Sequence, residues 1–179
     1  MIIALAGRRI DAPDSAQQRF PFQNLRRVTE DIRTLFTELK PKALVCSAAN
    51  GADILALETA GDLAIDRKVV LPFTPEVFRS TSVVDRPGGW GKRFDRLFAT
   101  MKSQDAVLCL DRSDRGPDAY RAANAMIIEQ AHNIARSLHT SATAVLIWDG
   151  QSRGAQDITW EFRQAALKAG LQIREVGTL

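Results

Sequence analysis

Cysteine and histidine are scarce: the 179 residues hold two of each. Neither a Cys-x-x-Cys nor a His-x-x-x-His spacing occurs, so a metal site is not expected. Cys46 and Cys109 each lie in an apolar, strand-like run, which predicts two buried, reduced thiols rather than a disulfide. His132 and His139 fall seven positions apart on one predicted helix, too far for a two-ligand clamp, and read as surface or packing residues. Long hydrophobic runs are also missing. The longest, such as Ala142 to Trp148, are strand-sized and far too short for a bilayer, so no membrane partner is expected. No basic segment precedes the short apolar run at the N-terminus, so a signal peptide is not expected and a cytoplasmic location is. Runs of five or more basic residues are absent, and the net charge of +3 with a pI of 9.1 is mild. Such an excess draws anions weakly, and nucleotide phosphates satisfy it as well as DNA does, so a nucleic-acid partner is not expected. Neither Gly-x-Gly-x-x-Gly nor Gly-Lys-Ser/Thr occurs; a Walker loop and a dinucleotide fingerprint are both excluded, and no cofactor is expected.

What the chain does have is regular alternation. With 45% hydrophobic and 25% charged residues it is an ordinary globular sequence, long enough for one core, and residues 1–179 read as a single domain. Ile2 to Ala6, Ala43 to Cys46, Lys68 to Leu71, Ala106 to Leu110, Ala144 to Trp148 and Leu171 to Val176 read as strands. Between them run helical stripes: Leu25, Val28, Ile32, Leu35, Phe36 and Leu39 in the first, Tyr120, Asn124, Ile127, Ile128, Ala131, Ile134 and Leu138 in the longest. Gly51 to Ile65 and Asp157 to Ala169 predict further helices, and Pro75 to Ser80 a short one before an irregular Pro/Gly-rich stretch, Thr81 to Gly91. Continuously apolar strands need cover on both faces. The pattern therefore predicts an α/β, Rossmann-like, doubly wound fold, a mostly parallel sheet of about six strands with helices on both faces.

Ligands of open parallel sheets lie beyond the carboxyl ends of the strands, where loops meet helix N-termini of partial positive charge. Three loops there are unusual. Gly7-Arg8-Arg9-Ile10-Asp11 pairs a glycine, which lets backbone amides approach a ligand, with two arginines suited to phosphate or carboxylate; it also fits a tight turn with solvated arginines. Ser47-Ala48-Ala49-Asn50-Gly51-Ala52-Asp53-Ile54 keeps side chains small at a strand–helix junction, as phosphate sites do, although Asp53 also suits a first helical turn on electrostatic grounds alone. Asp149-Gly150-Gln151-Ser152-Arg153-Gly154-Ala155-Gln156-Asp157 repeats the theme on a neighbouring strand, with Asp157 placed to cap the helix that follows. Arg79, Ser82 and Trp90 flank the Pro/Gly-rich stretch, whose length suits a lid or binding loop. Trp90 is a candidate to stack on a base or to cap the core edge, and Tyr120 and Asn124 share a helix face.

In combination these stretches resemble the SLOG superfamily, which joins the DNA-processing Smf/DprA-type proteins to the lonely-guy phosphoribohydrolases. The likeness is greatest to its stand-alone, signalling-associated branch, with Gly-His/Arg-x-x-Asp-Ala-Pro followed by Ser-Ala-Ala-x-Gly-Ala-Asp-Ile. Here those stand as Gly7 to Pro13 and Ser47 to Ile54; the Val70-Leu71-Pro72-Phe73 and Ile147-Trp148-Asp149-Gly150 strand ends and the Ser82-Val83 pair follow in order. The resemblance implies a Rossmann-like fold binding nucleotides or nucleotide-derived signals, with Gly7, Gly51 and the Gly150–Gly154 loop holding phosphate and ribose and Arg8 or Arg9 neutralising charge. Homo-oligomers are plausible for such a fold. The phosphoribohydrolase motif Pro-Gly-Gly-x-Gly-Thr-x-x-Glu maps onto Arg153 to Glu161, where Ala155, Asp157 and Ile158 replace small or hydroxyl residues. An aspartate facing an anion is unfavourable, which argues against glycosidic hydrolysis. The expected function is thus a nucleotide-type sensor or signalling module. Alternatives are an N-glycosidase acting on nucleoside monophosphates, with Glu161 or Glu58 stabilising positive charge at the ribose, and a DNA-associated or protein-interaction module.

Overall fold

The computed structural model describes residues 1–101 and 106–179. Six strands form one sheet: β1 (Ile2–Gly7), β2 (Ala43–Cys46), β3 (Asp66–Leu71), β4 (Val107–Cys109), β5 (Ala142–Trp148) and β6 (Gln172–Gly177). Their order across the sheet is β4-β3-β2-β1-β5-β6, and every pairing is parallel. Among the described residues six α-helices run between them: α1 (Leu25–Leu39), α2 (Ala52–Asp62), α3 (Pro75–Ser82), α4 (Trp90–Thr100), α5 (Pro117–Ser137) and α6 (Ile158–Lys168). The expected doubly wound α/β architecture is therefore present.

Strand residues alternate between two apolar layers. Ile3, Leu5, Leu44, Cys46, Val69, Leu71, Val145 and Ile147 face α1, α2 and α4, while Ile2, Ala4, Val45, Val70, Ala144 and Leu146 face α5 and α6. Neither face is wet, which is why the strands read as unbroken hydrophobic runs. Local chemistry sets the helix starts. Pro75 and Pro117 occupy first-turn positions, where a missing N–H costs nothing. Pro21 precedes a 3-10 turn (Phe22–Asn24), so regular α1 begins at Leu25, where the hydrophobic stripe begins.

The connectivity fixes where a ligand can sit. From β1 the chain steps outward through β2 and β3 to the edge at β4. It then returns along the 21-residue α5, which packs over β1, β2 and β3, to place β5 on the other side of β1. The strand order thus reverses between β1 and β5, and the loops that follow those two strands diverge and leave a crevice at their carboxyl ends. Among the described residues no helix is long and apolar enough to cross a membrane.

Two expectations about sulfur and imidazole need correction. Cys46 is buried, and burial together with the charge of Asp53 pushes its thiol well up. Cys109, expected to be buried as well, is exposed, because β4 is the short edge strand and lacks a neighbour on one side. His139 lies beyond the end of α5, in a left-handed turn (φ 47°), so it does not share a helix with His132. Titration of the native protein with an aromatic disulfide reagent is expected to modify one thiol readily and the second only on unfolding. The Cys109→Ser variant should show no fast-reacting thiol; a fast reaction persisting in it contradicts this burial pattern.

Candidate functional site

A cleft of about 340 Å³ opens at the reversal point, lined by the loop after β1, the β2–α2 junction, the end of α3, the first half of α5 and the start of α6. Its volume is within the range of small-ligand sites. Of the residues singled out from sequence, Gly7, Arg8, Arg9, Asp11, Ser47, Asp53, Ser82, Tyr120 and Asn124 line it.

Two glycines make the floor possible. A Cβ on Gly7 would lie 2.3 Å from the Ala52 Cβ and 2.6 Å from the Ile147 carbonyl oxygen, and one on Gly51 (φ +87°) would lie 2.7 Å from the Arg8 carbonyl oxygen. The first turn of α2 therefore sits against the β1 loop backbone to backbone, with the Ala52 N–H donating to the Arg8 carbonyl (3.1 Å). Asn50 fastens a third segment. Its Oδ1 accepts from the Ile10 amide (3.2 Å), and its Nδ2 donates to the Ser82 carbonyl and to Asp85 Oδ1 (3.0 Å each). Asn50, Gly51 and Ala52, expected to contact ligand, instead hold the β1 loop, α2 and α3 together and do not line the cleft. Gly7→Ala is expected to lower stability by about 2–3 kcal/mol through overpacking, measured by urea denaturation. An unchanged midpoint contradicts the close approach.

The expected phosphate cradle at the start of α6 is filled by the protein itself. Asp157 caps the helix, its carboxylate accepting from the Thr159, Trp160 and Arg153 amides (3.1, 3.2 and 2.8 Å). The same carboxylate takes both terminal nitrogens of Arg8 at 2.6 and 2.8 Å. Arg8 Nε donates to Asp149 (2.8 Å), which also accepts from Arg19 (2.5 Å). The side chains of Arg8, Asp149 and Asp157 are almost fully buried. Burial alone would raise the Asp157 pKa; the bonds from Arg8 and the backbone amides override it and hold the carboxyl at about 2. Arg8 is thus committed to internal partners. Gly150 and Gly154, both with positive φ, and Asp149 do not line the cleft.

Other expected residues are placed elsewhere. Trp90 is a core residue whose indole N–H donates to the Pro87 carbonyl (2.8 Å). Arg79 makes a two-pronged pair with Asp95 across to α4 (2.8 and 2.9 Å). Glu161 is gripped by Arg121 (2.7 and 2.8 Å) and Glu58 by Arg93 (2.9 Å for one of its two bonds); neither glutamate lines the cleft.

The cleft also holds Arg19, which the sequence reading passed over, and residues it quoted only as part of longer stretches. Arg19, Arg86 and Arg153 join Arg9 on its walls, and Thr81 and Thr159 add hydroxyls. Arg9 and Arg86 both reach Asp85 (2.7 and 2.8 Å), so this pair of cations shares one carboxylate. Ser82 Oγ and the Tyr120 hydroxyl lie 3.2 Å apart, Tyr120 rests edge-on against Phe73, and Asn124 donates to the Ile158 carbonyl (3.0 Å). Asp11 accepts from the amides of Arg19 and Phe20 (2.9 and 3.0 Å) and so closes the loop that carries Arg19 into the cleft. Arg86 was within the irregular stretch already marked as a binding loop, and Thr159 within the mapped motif; those were the available signals.

Asp53 is a largely buried carboxylate that lines the cleft with little support from the protein. It is 7% exposed and accepts one hydrogen bond among the described residues, from the Ala49 amide at 3.1 Å. Burial pushes its pKa up to about 7, against the opposing pull of that amide and of the Arg9 charge.

No protein-family profile matches the sequence, and no curated protein is significantly similar to it. Among solved structures, the chain is similar to DNA processing protein A (DprA) from Streptococcus pneumoniae, with 14% identity and a TM-score of 0.44. The likeness covers 97% of this chain and 57% of that one.

Proposed function

We propose that the cleft binds a nucleotide or nucleotide-derived ligand and that the protein acts as a sensor or signalling module. The carrying observation is that three kinds of wall meet at the sheet's reversal point. Ile10, Phe78, Ile127 and Ile158 form an apolar part suited to a base, hydroxyls and the Asn124 amide suit a sugar, and four arginines suit an anionic group. Because Asp157 already satisfies the α6 N-terminus, the phosphate of such a ligand belongs with Arg9 and Arg86, whose combined charge exceeds that of Asp85 by one. Binding rather than hydrolysis is the reading favoured, since both glutamates considered as catalytic are held by arginines away from the cleft.

Isothermal titration against mononucleotides, cyclic nucleotides and nucleotide sugars tests this reading. At least one ligand is expected to bind below millimolar concentration. Arg9→Ala/Arg86→Ala should weaken a phosphorylated ligand about tenfold or more while changing the parent nucleoside little, as loss of charge-assisted bonds requires. Absence of binding across the panel at millimolar ligand ends the reading.

A further inference from the structure

We propose that Asp53 is the specificity-determining group of the cleft, taking hydroxyl donors from a ribose-type vicinal diol, so that the site selects ribo over deoxy ligands. This rests on the nucleotide reading above and assigns its sugar contact.

The first argument is geometric. Asp53 sits in the first turn of α2, buried on its protein side yet lining the cleft, with Ser47 and Ala49 of the same junction beside it. An ionised carboxylate offers about four acceptor positions. The protein fills one, through the Ala49 amide. Its remaining acceptor positions are directed to the cleft rather than to the protein, and when the carboxyl is ionised only hydrogen-bond donors satisfy them.

The second argument concerns which donors. Five arginines line the same cleft, four of them besides the internally paired Arg8, so a cationic ligand meets like charge, whereas a neutral diol does not. A sugar bearing a phosphate satisfies both ends: hydroxyls on Asp53 and the anion on Arg9 and Arg86. The neighbouring groups agree. The charged or titratable ones acting on Asp53 are Arg9, from the loop after β1, and the Cys46 thiol of β2; α3 contributes the hydroxyls of Thr81 and Ser82, and α5 the phenol of Tyr120. None is a cation in contact with the carboxylate, because Arg9 is turned to Asp85.

Coupling to protons follows from the same placement. In the free protein burial holds the carboxyl near half-protonation at neutral pH. Donors delivered by a diol favour the ionised form, so the proton leaves to solvent on binding and affinity rises from pH 6 to pH 8.

The test is calorimetry with adenosine and uridine 5′-monophosphates and their 2′,3′-dideoxy counterparts, at pH 6 and pH 8, in two buffers of different ionisation enthalpy. The ribo forms are expected to bind at least about tenfold tighter, as hydrogen bonds to a charged acceptor warrant, with buffer-dependent heats reporting proton release. Asp53→Asn, which retains an oxygen for the Ala49 amide, should abolish both the ribo preference and the buffer dependence; its thermal melt confirms folding. Equal affinity of ribo and dideoxy forms for the native protein overturns the assignment while leaving the nucleotide cleft intact. That comparison needs no variant. Failure of every form to bind overturns the assignment for these ligands, and only the wider panel's failure removes the nucleotide reading beneath it.

Discussion

Asp157→Ala is expected to lower folding stability at pH 7 by about 3–5 kcal/mol, the typical cost of stripping one partner from a buried ion pair. The size follows from what depends on this carboxylate. It neutralises Arg8, which is 2% exposed, and it occupies the amides of Arg153, Thr159 and Trp160. Removal leaves Arg8 with Asp149 and the Gln151 carbonyl, and opens the N-terminus of α6. The pH dependence has a defined sign. The folded pKa of about 2 lies below the ordinary value of 3.8, so the stabilisation is fully present above pH 4 and disappears as pH falls through the folded value. Urea denaturation of native and variant protein should therefore show a gap at pH 7 that narrows between pH 4 and pH 2. A gap under 1 kcal/mol at pH 7 contradicts a buried, fully bonded Asp157.

Asp53 predicts the opposite behaviour. Its folded pKa of about 7 lies above the usual 3.8, so the folded state binds the extra proton and stability is lost as pH rises through the folded value. At 1.36 kcal/mol per unit, the ionised group costs roughly 4 kcal/mol at pH 8. Asp53→Asn is thus expected to stabilise the protein, by an increment that grows from pH 4 to pH 7 and then levels off. A residue retained at such a cost is one whose removal improves stability and harms binding, the trade expected at a functional site. Destabilisation by Asp53→Asn at pH 8 contradicts this environment.

These two aspartates also show what was legible in the sequence. Helix and strand periods revealed the architecture, because strands dry on both faces carry their burial in every residue. The loops to inspect followed from chain alternation alone, and nine of the residues singled out there line the cleft. Side-chain pairing across the fold was not legible. Arg8 looked like a ligand arginine since it follows β1, yet its partner stands 149 positions away. Asp157 was read correctly as a helix cap, but its second role needed Arg8 to be brought to it. Arg19 enters the cleft from the far end of the long loop after β1, twelve positions beyond the strand, carried back by the Asp11 turn. Trp90 and Cys109 failed for the same reason in reverse. A tryptophan beside a loop is indistinguishable in sequence from one under it, and an apolar triplet does not say whether its strand is central or at the edge.

The central claim is that a nucleotide-type ligand sits in the crevice where the strand order reverses. Amide chemical-shift mapping during titration with adenosine 5′-monophosphate tests it most directly. Perturbations are expected to gather on Gly7, Arg9, Ser47, Asp53, Ser82 and Asn124. Shifts that gather instead in the separate arginine-lined groove around Glu58, Arg67 and Arg93, or no shifts at millimolar ligand, contradict it.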